Sequence, residues 1–256
     1  MSKRDRFTQV GIDRLIRLAW LEKTARLALS GMEVKDIEQH LAESLAVEFP
    51  TEQDLSKRGS LSKTMTILMK TWVRVPQELE PLRDAGLELL RTSVRAAARP
   101  IHWGMLGAAY PFWMSVAAHT GRLLRLQGCV AAAEVQRRLR EQYGERELVS
   151  RRTRYVLRAF HDWRVLRETG KKGVYEQGEI DNVDDDSLSA WILRAYLHSR
   201  PDGSAALAEA YDDPCLFPLK FKRSISEILS HKTYGIEVVN YGFNQLVIRL
   251  KKVSIQ

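Results

Sequence analysis

Residues 129–177 read CVAAAEVQRRLREQYGERELVSRRTRYVLRAFHDWRVLRETGKKGVYEQ, and within them the spacing of apolar residues changes from a helical period to a strand period. The first part is rich in alanine. Val135 and Leu139 lie about one helical turn apart, so the pattern predicts a helix over 131–143 with one apolar face. A second helix is expected from Ser150, whose hydroxyl suits the capping of orphan amides, and it turns Val156, Leu157, Phe160 and Trp163 toward a core. Beyond it, 165–169 and 174–177 read as two short strands. Gly170-Lys171-Lys172-Gly173 between them has the glycines that a tight turn needs.

The charges follow the same order. Arg151, Arg154, Arg158 and His161 are spaced three, four and three apart, which puts them in one row on the second helix, away from its apolar residues. From 146 to 172 there are nine basic residues, among them Arg152, Lys171 and Lys172, against three acidic ones. Helix, turn, helix and basic hairpin is the order of a winged helix-turn-helix, and a positive surplus on its second helix and wing is what neutralising phosphates in a major groove requires. Arginine-rich helix faces also occur as plain solvated surface, and winged helices also serve as protein-docking modules.

Working outward, the chain of 256 residues is long enough for a substantial core, and 45% hydrophobic with 28% charged residues is an ordinary globular composition. A net charge of +8 and a pI near 9.5 favour an anionic partner, with nucleic acid ahead of membrane. The cysteines, Cys129 and Cys215, are far apart and lack neighbours at metal-ligand spacing, so a reducing, cytoplasmic setting and no zinc site are expected. No secretory signal is read at the N-terminus. The uncharged run 100–121, PIHWGMLGAAYPFWMSVAAHTG, has the length of a membrane span, but its polar residues and central Pro111 predict two buried helices meeting near Tyr110. The second of these, 112–126, would be the first helix of the winged unit.

Toward the N-terminus, apolar positions from Ile12 to Leu29 predict a helix closed at Gly31, and Val34, Ile37, Leu41 and Leu45 predict another over 33–47. Ser60 would cap a third, with Leu61, Met65 and Leu68 inward and Lys57, Arg58 and Lys63 around its start as further phosphate-contact candidates. This region reads as a second helix-turn-helix or as a supporting bundle. A helix over 82–98 leads into the uncharged run. Past the wing, the acidic stretch 176–186 reads as a solvated linker, without the glycine and spacing of a calcium loop. Helices over 187–199, 205–211 and 219–230 and a hairpin pairing 236–238 with 246–250 complete the chain. The division expected is 1–98, a helical helix-turn-helix-like region; 99–180, the winged-helix domain; and 181–256, a helical segment with a β-hairpin. The class is mainly α.

Catalytic signatures are absent: there is no phosphate loop, nucleophile elbow, H-E-x-x-H or C-x-x-C. His119, in an apolar stretch, reads as a core histidine with one hydrogen-bonded nitrogen. No enzyme activity, cofactor or metal is expected.

Together, SGMEVKDIEQHLAESL, KRGSLSKTMTILMKTW, GAAYPFWMSVAAHTGRLLRLQG and the winged element resemble the BrxA family of bacteriophage-exclusion (BREX) systems, in order of elements over residues 12–180. The resemblance implies a cytoplasmic, non-enzymatic DNA-binding component of a prokaryotic phage-defence system, with other defence proteins as partners. It carries over Arg151, Arg154, Arg158 and the wing lysines as the DNA-contacting set. The alternatives are a winged-helix transcriptional regulator and an assembly subunit that docks a larger protein without binding DNA.

Overall fold

The computed structural model describes residues 5–51, 53, 56, 59–92, 98–231, 234–242 and 245–251. Helices dominate: α1 (Asp5–Thr8), α2 (Leu18–Leu29), α3 (Val34–Ala46), α4 (Ser60–Trp72), α5 (Glu80–Thr92), α6 (Ala98–Ala109) and α7 (Pro111–Gln127) precede the first strand. Then come β1 (Cys129–Ala131), α8 (Ala132–Tyr143), α9 (Glu147–Asp162), β2 (Leu166–Glu168), β3 (Val174–Gln177) and β4 (Asp181–Val183). The chain continues through α10 (Asp186–His198), β5 (Ser204–Ala206), β6 (Leu219–Phe221), α11 (Ile225–His231), β7 (Ile236–Asn240) and β8 (Leu246–Leu250).

The uncharged run forms two helices, as expected. Every residue of α6 from Pro100 onward is buried. Tyr110 leaves the helical region (φ −132, ψ 83) because the ring of Pro111 crowds the residue before it, and Pro111 starts α7, where its missing N–H costs no bond. Among the described residues no helix is long and apolar enough to cross a membrane.

Around this pair the core is aromatic. Trp103 on α6 lies 5.2 Å from Trp113 on α7 and 4.8 Å from Phe160 on α9, centroid to centroid, and Trp113 lies 4.9 Å from Trp163 just past α9. Phe217 closes the cluster at 5.5 Å from Trp103. The indole N–H groups find backbone acceptors, Trp103 on the Cys215 carbonyl at 3.2 Å and Trp163 on the Ile16 carbonyl at 2.9 Å. Helix α10 wedges Trp191 between α5 and α6, where Gly86 and Gly104 leave room: a Cβ on either would stand 2.7 or 2.8 Å from the indole. Buried Arg6 donates to the Ala108 carbonyl at 2.7 Å and the His198 carbonyl at 3.1 Å, placing a cation at the negative ends of α6 and α10. One hydrophobic cluster joins residues from Val10 to Ile248.

Three small sheets accompany the helices. The first is antiparallel in the order β1-β3-β2, with Val130 opposite Tyr175 and Arg167 opposite Glu176. The second pairs β4 with β6 in parallel, and the third has the order β5-β8-β7.

Several expectations are corrected. Helix α9 begins at Glu147, so Ser150 is a buried interior residue that receives a bond from Arg140 at 3.0 Å, not a cap. Ser60 is likewise the first helical residue, with Gly59 as the N-cap and no side-chain cap. The first long helix starts only at Leu18, because Val10, Ile12 and Ile16 are each buried along a non-helical segment. Of the helix expected over 82–98, the part up to Thr92 is helical and Ala98 begins α6; 93–97 lie outside the described residues. The 205–211 stretch is β5 followed by a 3-10 turn, and 219–230 splits into β6 and α11. The acidic stretch is not a solvated linker: Glu179 and Asp181 grip Arg99 at 2.7 Å each, Asp185 caps α10 through the Leu188 amide, and Asp186 pairs with Arg223. His119 is half-buried, with Nε2 3.2 Å from Gln142. Among the described residues, the fully buried histidine is His102.

Two stability measurements follow. Trp103→Ala removes the ring that the other four aromatics touch and should cost about 3–5 kcal/mol in urea unfolding, whereas Leu126→Ala at a 73% exposed position should change it by less than about 0.5 kcal/mol. Burial pushes the His102 imidazole from an ordinary 6.5 down to about 3, and Trp72 donates its indole N–H to Nδ1 at 3.1 Å. The unfolded chain therefore takes up this proton below about pH 6.5 while the folded chain refuses it, so stability falls as pH drops through that window at about 1.4 kcal/mol per unit. Between pH 7.5 and 5 the unaltered chain should lose about 2 kcal/mol more than His102→Gln.

Candidate nucleic-acid interface

Two adjacent arginine-rich helices carry their charge differently. On α8 each arginine has a carboxylate: Arg137 with Glu141 at 2.7 Å, Arg138 with Glu134 at 3.0 Å, Arg140 with Glu145 at 2.9 Å. On α9 the buried side is Val149, Thr153, Val156, Leu157 and Phe160, and the exposed side carries Arg151, Arg154, Arg158 and His161. Of these, Arg154 reaches Glu147 at 3.3 Å, but Arg151 and Arg158 have no ion pair among the described residues. The apolar residues decide this. With Phe160 and Trp163 held in the aromatic cluster, a helix of 3.6 residues per turn has only one rotation, and that rotation turns the arginine row outward.

The hairpin continues the surface. β2 and β3 pair as expected, Thr169 closes the turn by accepting the Lys171 amide at 3.2 Å, and Lys171 and Lys172 are exposed at the tip without ion pairs among the described residues. Two further arginines in the stretch are neutralised by residues beyond it: Arg167 by Glu176 across the strands at 2.7 Å, Arg164 by Glu179 at 3.8 Å. The surplus read from 146–172 is therefore smaller in space than in sequence. It is left on Arg146, Arg151, Arg152, Arg158, Lys171 and Lys172, for which there is no ion pair among the described residues.

Between the end of α9 and the sheet lies a groove of about 880 Å³, lined among others by Arg158, His161, Arg167, Tyr175 and Leu15. Arg152 sits at the side of the row, half-buried, its Nε without a partner. Burial lowers its pKa; Asp13 opposes this, and Arg151, Arg14 and Arg146 add to the lowering. Lys63 stands half-exposed on α4, a helix packed against α2, α3 and α6. Lys57 and Arg58 lie outside the described residues. The reading from sequence missed β1, whose three residues are too few to show a period, and it missed residues 13–16, which come to rest beside α9.

Glu147 stands at the head of the row as the anion that pairs with it, and Asp162 shares the groove with Arg158 and His161 at its other end. If this surface meets DNA, Glu147→Gln, which frees Arg154, should raise affinity for a random-sequence duplex about threefold to tenfold near 0.1 M salt, measured by fluorescence anisotropy. No protein-family model, no curated protein and no solved structure matches this chain.

Proposed function

We propose that this chain is a double-stranded DNA-binding protein without enzyme activity of its own, acting in the cytoplasm as a component of a prokaryotic phage-defence system of the BREX kind. The observation that carries the DNA reading is the set of unpaired cations on α9 and the hairpin tip, beside an equally arginine-rich α8 whose charges are all matched. Unmatched charge held outward by a rigid core is what an anionic partner uses, because no internal pair must first be broken. The order α7, β1, α8, α9, β2, β3 with the sheet order β1-β3-β2 agrees with a winged helix-turn-helix, in which α9 would enter the major groove and Lys171 and Lys172 would touch the backbone. The defence assignment is supported by the resemblance of residues 12–180 to the BrxA family, and two free cysteines agree with a reducing compartment.

A salt series tests the DNA reading. With Arg151, Arg154, Arg158, Lys171 and Lys172 each meeting a phosphate, the logarithm of affinity for a random duplex should fall against the logarithm of salt with a slope of about −4 to −5. Replacing both wing lysines with alanine should bring that slope to about −3. A chain that only docks another protein would show no salt-dependent duplex affinity.

A further inference from the structure

The exposed row of α9 is flanked by a stretch of chain from far away in sequence. Residues 9–17 are non-helical apart from a bend, and their inward side chains, Val10, Ile12 and Ile16, are buried. Gly11 lies flat on the Tyr110 ring, where a Cβ would stand 2.6 Å from a ring carbon. Asp13 and Arg14 sit close enough to Arg152, in the first half of α9, to act on its charge. Leu15 shares a groove with Arg158 and His161, and the Ile16 carbonyl accepts the Trp163 indole N–H at the end of α9. Residues 13–16 therefore run alongside the helix, from Arg152 toward Trp163. Arg14 is half-exposed on this segment. Its Nη1 donates to the Asp13 carbonyl at 2.7 Å, and among the described residues its buried Nε has no partner and no carboxylate pairs with it.

We infer that Arg14 is a further DNA-contacting residue, which takes a backbone phosphate at the edge of the groove that α9 enters. The inference rests on the reading of α9 as a DNA-binding helix. Its geometry is simple. A helix with its side chains is about 10–12 Å across and a major groove is about 12 Å wide, so whatever lies against the flank of the helix meets the phosphates lining the groove rather than base edges. Arg152 follows Arg151 by one position, about 100° further round the helix, which puts Arg152 and its neighbour Arg14 on that flank. Around Arg152 the charges of Arg14, Arg146 and Arg151 act against that of Asp13, so the spot is rich in cations, and a phosphodiester supplies negative charge to the half-exposed Arg14.

The experiment is anisotropy titration of a labelled ~20 base-pair random duplex across salt concentrations, with the full chain, Arg14→Gln, Arg14→Lys and, as a control of equal charge change, Lys35→Gln at an exposed position on α3. Arg14→Gln should weaken binding about threefold to tenfold near 0.1 M salt and make the slope shallower by about 0.9, with the thermal midpoint unchanged. Arg14→Lys should keep the slope, and Lys35→Gln should alter neither quantity. Unchanged affinity and slope in Arg14→Gln overturn the inference. So does an equal loss in Lys35→Gln, which would mark a net-charge effect, or failure of Arg14→Lys to keep the slope, which would mark a structural one. If the unaltered chain does not bind duplex at all, the fault lies with the DNA reading itself and not with Arg14.

Discussion

The rotation of α9 about its own axis is set by aromatic packing. Phe160 and Trp163 enter a cluster with Trp103 and Trp113 whose ring centroids lie 4.7–6.1 Å apart, and at these distances tilted and edge-on rings interlock, so a turn of the helix would clash with several of them at once. Everything on the outer side follows from that. Arg151, Arg154 and Arg158 are exposed because the opposite side has no freedom, and residues 13–16 are fixed beside them because the Trp163 indole holds the Ile16 carbonyl. The same cluster reaches Phe217, so the segment between α10 and α11 bears on the orientation of α9 without approaching its exposed side.

Charge in this protein is divided between pairs that hold the fold and cations left open. Arg99 binds Glu179 and Asp181, fastening the chain just past β3 to the start of α6, and Arg223 binds Asp186 at the start of α10. The exposed pairs on α8 contribute little stability individually, since such pairs are worth only about 0.2–1 kcal/mol. What they do is cancel a field that would otherwise surround the whole helical hairpin. On this hairpin and its wing, the part left uncancelled among the described residues stands on α9, at Arg146 just before it and at the wing tip.

Much of this was legible in the sequence because it is local. The α7 and α8 patterns, the break at Tyr110-Pro111, and strands 166–168 and 174–177 all announce themselves in spacing or in proline and glycine chemistry. The failures share a cause as well. Ile12 and Ile16 are spaced as in a helix, yet each finds its own place in the core along a non-helical segment. Residues 219–221 became a strand because β4, forty residues earlier, offered a parallel edge, and the acidic run was taken for a linker because its cations, Arg99 and Arg223, stand outside it. Long-range partners leave no mark in a local window. For the same reason the arginine row was found from spacing, while its neutralising glutamates and the neighbouring Arg14 were not.

The buried Arg6 bears on how the molecule is made. One of its acceptors is the carbonyl of His198, 192 positions away, and the other is that of Ala108. A ribosome releases residue 6 long before residue 198, so the segment around Arg6 must wait, its guanidinium hydrated, until α10 has left the exit tunnel. The α6–α7 pair can collapse earlier, but the N-terminal strap cannot take up its full set of bonds until synthesis has passed residue 198. Contacts of such sequence separation form late and slowly. A chain cut short by translational arrest before α10 would therefore carry the arginine row of α9 on an unfinished body, with Arg6 lacking its His198 acceptor and the Trp191 slot between α5 and α6 open to proteases and chaperones.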